Sequence, residues 1–203
     1  MVFFSKKGAI EMLAKMSSCS LQGIEASLVE VEVDVALGLP SFEIVGLPDK
    51  SIRESKERVR AALRNKGFDF PNRRITVNLA PADVKKEGPG FDLPIALGIL
   101  VATGQISADL LDGYVIVGEL SLDGKVKPVY GILSMALKIK EQARKGMVLS
   151  RDNQEEASLV KGLDLVSLDN LCQVMDGLNS SVTYRKIGKD SSTLNNLSPD
   201  MQD

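Results

Sequence analysis

The chain has 203 residues, 44% of them hydrophobic and 26% charged, with a formal net charge of -2. That is enough apolar content for a buried core, and the overall charge gives no reason to expect a nucleic-acid partner, so any such contact must come from a local concentration of charge. There is no histidine, which removes the commonest metal ligand, the usual general base near neutral pH and most hydrolase triads.

Cys19 and Cys172 lack any C-x-x-C spacing, which excludes a zinc site and predicts two reduced thiols in a cytoplasmic protein. No run of about 18 apolar residues predicts a membrane span. The opening "MVFFSKKGAIEMLAKM" lacks the apolar core of a secretory signal. Residues 1–13 read as an N-terminal extension, with Met12 or Met16 as suitable as Met1 for a start.

From Ile24 to Val35, Val29, Val31, Val33 and Val35 alternate with Glu30, Glu32 and Asp34, a period of two that predicts a half-buried strand. Gly38-Leu39-Pro40 turns the chain, and 41–46 is expected to return beside it as an antiparallel hairpin. Ser51 stands three residues before Glu54, the spacing of a capping box, and Gly67 follows as a helix stop. Within that helix Ile52, Val59, Ala62 and Leu63 form one narrow apolar stripe.

"RRITVNLAP" at 73–81 predicts a strand ended by Pro81. "FDLPIALGILVATG" predicts a mostly apolar helix with Asp92 as N-cap and Pro94 in its first turn. Tyr114 to Gly118 reads as a short strand and Asp123-Gly124 as a hairpin turn. An amphipathic helix ending at Gly146 follows, then strand 147–150, helix 154–162, strand 163–168 and helix 170–178. This alternation favours a sheet with helices laid on it. From Asn179 the sequence is polar and rich in Ser and Asn, and 181–203 reads as a linker.

The stretch "APADVKKEGPGFDLPIALGIL" at 80–100 raises the question of chemistry. A phosphate cradle of the G-x-x-x-x-G-K-[ST] type does not occur, so the chain is not expected to bind and hydrolyse ATP unaided. A Gly-Pro turn at a strand-to-helix junction is the plain structural use of such a loop. Between Lys50 and Arg74 nine Lys and Arg stand against three Asp and Glu. Arg53, Lys56, Arg60 and Arg64 share one side of the helix and are the candidate DNA contacts. Charged helices are more often simply solvated, with Glu54 and Glu57 forming weak surface pairs, or the row could meet an acidic patch of a neighbouring subunit. No aromatic residue is interleaved for base stacking.

"KKEGPGFDLPIALGIL" and the later "GELSLDGKVKPVYGILSMALKIKEQARKG" resemble, in order, two segments of the Lon-type serine protease domain. Carried over by position, Lys86, Glu87, Gly88 and Pro89 match, but Gly90 stands where the nucleophilic serine belongs. Leu133, or Met135 under the neighbouring choice, stands at the lysine of the dyad. Gly and Leu supply neither nucleophile nor base. The longer pattern of "SLQGIEA", "GLPD", "NLAPAD" and "GPGFDLPIA" is similar to the N-terminal domain of the ComM/YifB family, and covers residues 14–180.

The resemblance implies an α/β (α+β) fold of the ribosomal protein S5 domain 2-like, Lon-protease-like type, a mixed sheet with packed helices. It also implies a catalytically dead scaffold that precedes an ATPase module, forms hexameric rings and engages DNA for branch migration in natural transformation. No cofactor is implied for this segment, ATP and magnesium belonging to the ATPase module. The competing expectations are a cryptic Ser-Lys peptidase, with Ser121 and Ser134 as nearby hydroxyls, and a regulatory module of a chelatase-like motor.

Overall fold

The computed structural model describes residues 12–174. Seven strands form one mixed sheet in the order β3-β4-β2-β1-β5-β8-β9. They are β1 (Met12–Gln22), β2 (Glu25–Ala36), β3 (Ser41–Val45), β4 (Arg74–Ala80), β5 (Tyr114–Ile116), β8 (Gly146–Ser150) and β9 (Asp164–Leu168). A separate ribbon pairs β6 (Glu119–Leu120) with β7 (Val126–Lys127) around the turn at Asp123-Gly124. The helices are α1 (Lys50–Asn65), α2 (Asp92–Ala102), α3 (Ile132–Glu141) and α4 (Gln154–Ser158).

The sheet separates two cores. Strand side chains alternate between its faces, so Ala14 and Met16 of β1 and Ile116 of β5 join one core, while Cys19, Val115 and Val117 join the other. On the first face lie α1 and α2. Every residue of α2 is buried, and its all-round apolar composition fits a helix with no solvent side. On the second face α3 packs over β2, β1 and β8 and α4 over β9, burying Ile132, Met135, Ala136, Ile139 and Ala157 with Val115 of β5. Glu30, Glu32 and Asp34 of β2, paired with β1 and with β4, point away from the first core, which is why β2 alternates polar and apolar while β5 and β8 are buried throughout.

Four expectations are corrected. The antiparallel hairpin is β1 with β2, turning at Gly23-Ile24. β3 instead lies parallel to β4 at the sheet edge, because β4 returns from α1 to take the place beside β2. β1 begins at Met12, inside the stretch assigned to an extension, since Leu13 already pairs with Asp34. The cap of α1 is Asp49, whose carboxylate accepts from the Ile52 amide at 2.8 Å, and Ser51 sits in the first turn. α3 ends at Glu141, and Gly146 opens β8 against Asp164.

The stop at Gly67 is as read, with the Phe68 amide donating to Leu63 and the Gly67 amide to Arg64, the paired bonds of a Schellman end. Leu171–Gln173 forms a single 3-10 turn. The remainder of the helix expected at 170–178, and the linker at 181–203, lie outside the described residues. Among the described residues no helix is long and apolar enough to cross a membrane.

Candidate functional site

The loop from Pro81 to Phe91 is held from inside. The backbone of Lys86 runs beside Pro48, the Asp49 amide donating to its carbonyl at 3.1 Å and its own amide to Leu47 at 3.4 Å. The Lys86 side chain is fully buried. Its ammonium donates to the carbonyl of Gly46 at 3.1 Å and to that of Pro81, and burial pulls its pKa below the ordinary lysine value while Asp83 opposes this. Asp49 serves two elements at once, capping α1 with one oxygen and accepting from the Gly88 amide at 3.0 Å with the other. Gly46, with φ +95°, is obligatory here, because a Cβ would lie 2.1 Å from the Leu79 carbonyl oxygen.

Asp92 is buried but is not the cap of α2. Its carboxylate accepts from Arg58 Nε at 2.6 Å and Nη2 at 3.0 Å, from the Ser55 hydroxyl and from the Leu120 amide at 3.1 Å. The cap position falls to Phe91 because three elements converge on the Asp92 carboxylate: α1, α2 and β6. The bond to Asp92 raises the Arg58 pKa above its already high value. Arg58, one of the nine basic residues of the 50–74 region, is therefore engaged in a buried bidentate pair.

Beside this frame lies a pocket of about 470 Å³. Gly90 and Phe91 form one wall, Val129 and Met135 another, and Ser20 with Leu21 of β1 a third, with Asp49, Glu87 and Glu119 also lining it. Thus the structure brings Gly90 together with Met135. Leu133 is not in the wall; it is 38% exposed on α3, its amide donating to Glu156 at 2.8 Å. A Cβ at Gly90 would meet only Val129, at 3.5 Å, an ordinary contact. The glycine is not imposed by crowding, and the site lacks a hydroxyl at that point only because the side chain is absent.

Among the described residues, no lysine or arginine lines the pocket. Ser20 is the hydroxyl that sequence reasoning missed; it is buried, and its Oγ has no hydrogen-bond partner among the described residues. Of the hydroxyls named from sequence, Ser121 is turned to Asp123 and Lys125 in the β6–β7 turn. Ser134 faces a different groove with Ile24 and Leu137. Cys19 also lines the pocket, and burial pushes its thiol up to about 11, so it is a neutral thiol and a poor nucleophile at neutral pH.

The DNA candidates share the outer side of α1. Lys56 lies 3.8 Å from Glu43 of β3, and Arg60 lies 3.6 Å from Glu57. Arg60 and Arg64 both hold their guanidinium carbons 5.5 Å from the centre of the Phe70 ring. Phe70 reaches this face from the loop after α1, so spacing along the helix could not reveal it. Among the described residues there is no group of three or more Cys, Asp or Glu able to hold a metal ion.

Comparison with known proteins gives a consistent picture. Residues 31–153 match the family model described as subunit ChlI of Mg-chelatase. The chain is 42% identical over 167 residues to competence protein ComM of Haemophilus influenzae, covering 82% of this chain and 33% of that protein. It is 40% identical over 158 residues to the YifB protein of Escherichia coli, covering 76% and 31%. Lon protease 2 of Bacillus subtilis is more distant, 28% identical over 167 residues, covering 74% of this chain and 30% of that protein. The chain spans about a third of the length of these curated relatives.

Proposed function

Because this chain belongs to the magnesium chelatase-like ComM/YifB family, we propose that it is the non-catalytic Lon-like scaffold of an AAA+ ATPase of that family, acting in the cytoplasm. Its work is ring assembly and DNA engagement for branch migration in natural transformation or recombination. The observation that supports this reading is the pocket beside Gly90, whose described lining has a glycine at the position that the Lon resemblance gives to the serine and holds neither lysine nor arginine. A Ser-Lys pair acts as a unit, a neutral amine taking the hydroxyl proton as it attacks, so loss of both members removes the reaction.

What remains useful is surface. Self-association into a hexameric ring would repeat the row Arg53, Lys56, Arg60 and Arg64 six times around a DNA path, and weak phosphate contacts would add across subunits. ATP and magnesium would belong to the ATPase module of the longer protein. The name competence protein ComM, carried by the Haemophilus influenzae relative, favours transformation as the setting.

The test combines three measurements on the purified protein: sedimentation for the ring, duplex affinity across a salt series, and casein hydrolysis. Ring formation, salt-sensitive DNA affinity and no hydrolysis are expected. Casein hydrolysis that disappears in Ser134→Ala would replace this reading with the cryptic peptidase.

A further inference from the structure

The outer face of α1 is more than a charge row. It has a floor, made by Phe70, which is half-buried and packs on Phe42 with ring centroids 6.1 Å apart and a 40° tilt. Arg60 and Arg64 lie one helical turn apart, and both guanidinium groups rest at 5.5 Å from that one ring. The aromatic quadrupole attracts each cation, and the planar guanidinium suits such a surface better than an ammonium. With two guanidinium groups on it, the ring is a platform for arginine rather than for a base.

Resting on the DNA reading above, we propose that Phe70 is the positioning residue of a sequence-independent contact with the phosphate backbone of duplex DNA. The ring holds Arg60 and Arg64 side by side before DNA arrives; the exposed Arg60–Glu57 pair at 3.6 Å is a weak surface contact that a phosphate oxygen would replace. Arg53 and Lys56 continue the row for a total span of about 16 Å at 1.5 Å per residue, the length of about five base steps at 3.4 Å. Two long side chains ordered in advance lose less freedom on binding, which strengthens affinity by about three- to tenfold without adding charge.

That distinction between order and charge gives the test. A fluorescein-labelled random-sequence duplex is titrated with the full protein over a salt series. Four contacts predict a slope of log K against log salt of about -3 to -4 for each subunit that touches the duplex. Arg60→Glu with Arg64→Glu makes the slope shallower by about two for each such subunit. Phe70→Leu keeps the apolar packing and the charges, so it weakens affinity about three- to tenfold at every salt concentration with the slope unchanged, and Phe70→Tyr restores it.

Damage to folding would instead lower the fraction of active protein in a stoichiometric titration and leave Kd alone. Phe70→Leu binding as tightly as the unmodified chain, or showing a reduced slope, overturns the positioning role while the DNA reading stands. An unmodified chain without salt-sensitive affinity overturns the DNA reading itself. An Arg60→Glu, Arg64→Glu variant that leaves the slope intact but dissociates the ring reassigns the row to a neighbouring subunit and overturns the proposal.

Discussion

The pocket beside Gly90 and the outer face of α1 are built in opposite ways. Around the pocket the backbone is pinned by polar side chains turned inward: buried Lys86 on two carbonyls, half-buried Asp49 on two amides, buried Asp92 on α1 and β6. On α1 the charged groups project outward, and one ring from another segment orders two of them. A pocket whose shape is fixed by backbone does not depend on which side chains line it, whereas a face made of side chains is lost with them. The same helix shows both principles, since Arg58 faces inward to Asp92 while Arg53, Lys56, Arg60 and Arg64 face out.

The sharpest way to break this contrast is at the two glycines. Gly46→Ala forces a Cβ onto the Leu79 carbonyl oxygen in a left-handed backbone, and is expected to cost about 3 kcal/mol or more in chemical denaturation. Arg58→Ala leaves the Asp92 carboxylate buried without its cation, a loss of about 3 kcal/mol; Arg53→Ala on the outer face should change stability by less than about 0.5 kcal/mol. Equal losses for the two arginines would mean that inward and outward charges are not different in kind. Asp49→Ala removes the cap of α1 and frees the Gly88 amide, for about 1–2 kcal/mol by the same measurement. Gly90→Ser, with only an ordinary contact to Val129, should cost less than about 1 kcal/mol.

The smallest effect concerns the thiols. Cys172 is exposed and Cys19 buried, so a thiol reagent at pH 8 should modify Cys172 quickly and Cys19 only on unfolding. Because the native Cys19 thiol holds its proton up to about 11 against 9.0 when free, the folded state binds the proton more tightly. Its contribution to stability is therefore present below 9 and declines as pH rises from 9 towards 11. A Cys19→Ser variant should flatten that decline.

Most elements were legible from periodicity: the alternation of β2, the stripe of α1, the apolar run of α2 and the strand-helix alternation after Tyr114. Pairing was less so. Nothing local tells Ser41–Val45 to lie beside β4 rather than β2, because the competing partner is more than thirty residues away. β1 escaped notice because "KMSSCSLQ" has serines on buried positions, Ser18 donating to the Ile116 carbonyl at 2.9 Å and Ser20 sitting in the pocket wall. The motif resemblance supplied the position of Gly90 directly, and Gly90 lies in the pocket wall. Of the two α3 positions the sequence left open, Met135 faces the pocket and Leu133 does not, since helical phase relative to β1 depends on how α3 docks on the sheet. Asp49 stood two residues before the expected cap, and Arg58 and Asp92 carry no signal of being partners 34 residues apart.

The central claim is that the pocket holds no attacking group activated by an amine. Incubation of the protein with a fluorophosphonate probe, which is captured by an activated serine, followed by peptide mass mapping, tests it directly. The account predicts no adduct on Ser20, the serine among the described residues of the pocket wall, or on any other serine. A stoichiometric adduct on Ser20, abolished by Ser20→Ala and accompanied by cleavage of a peptide, would contradict it.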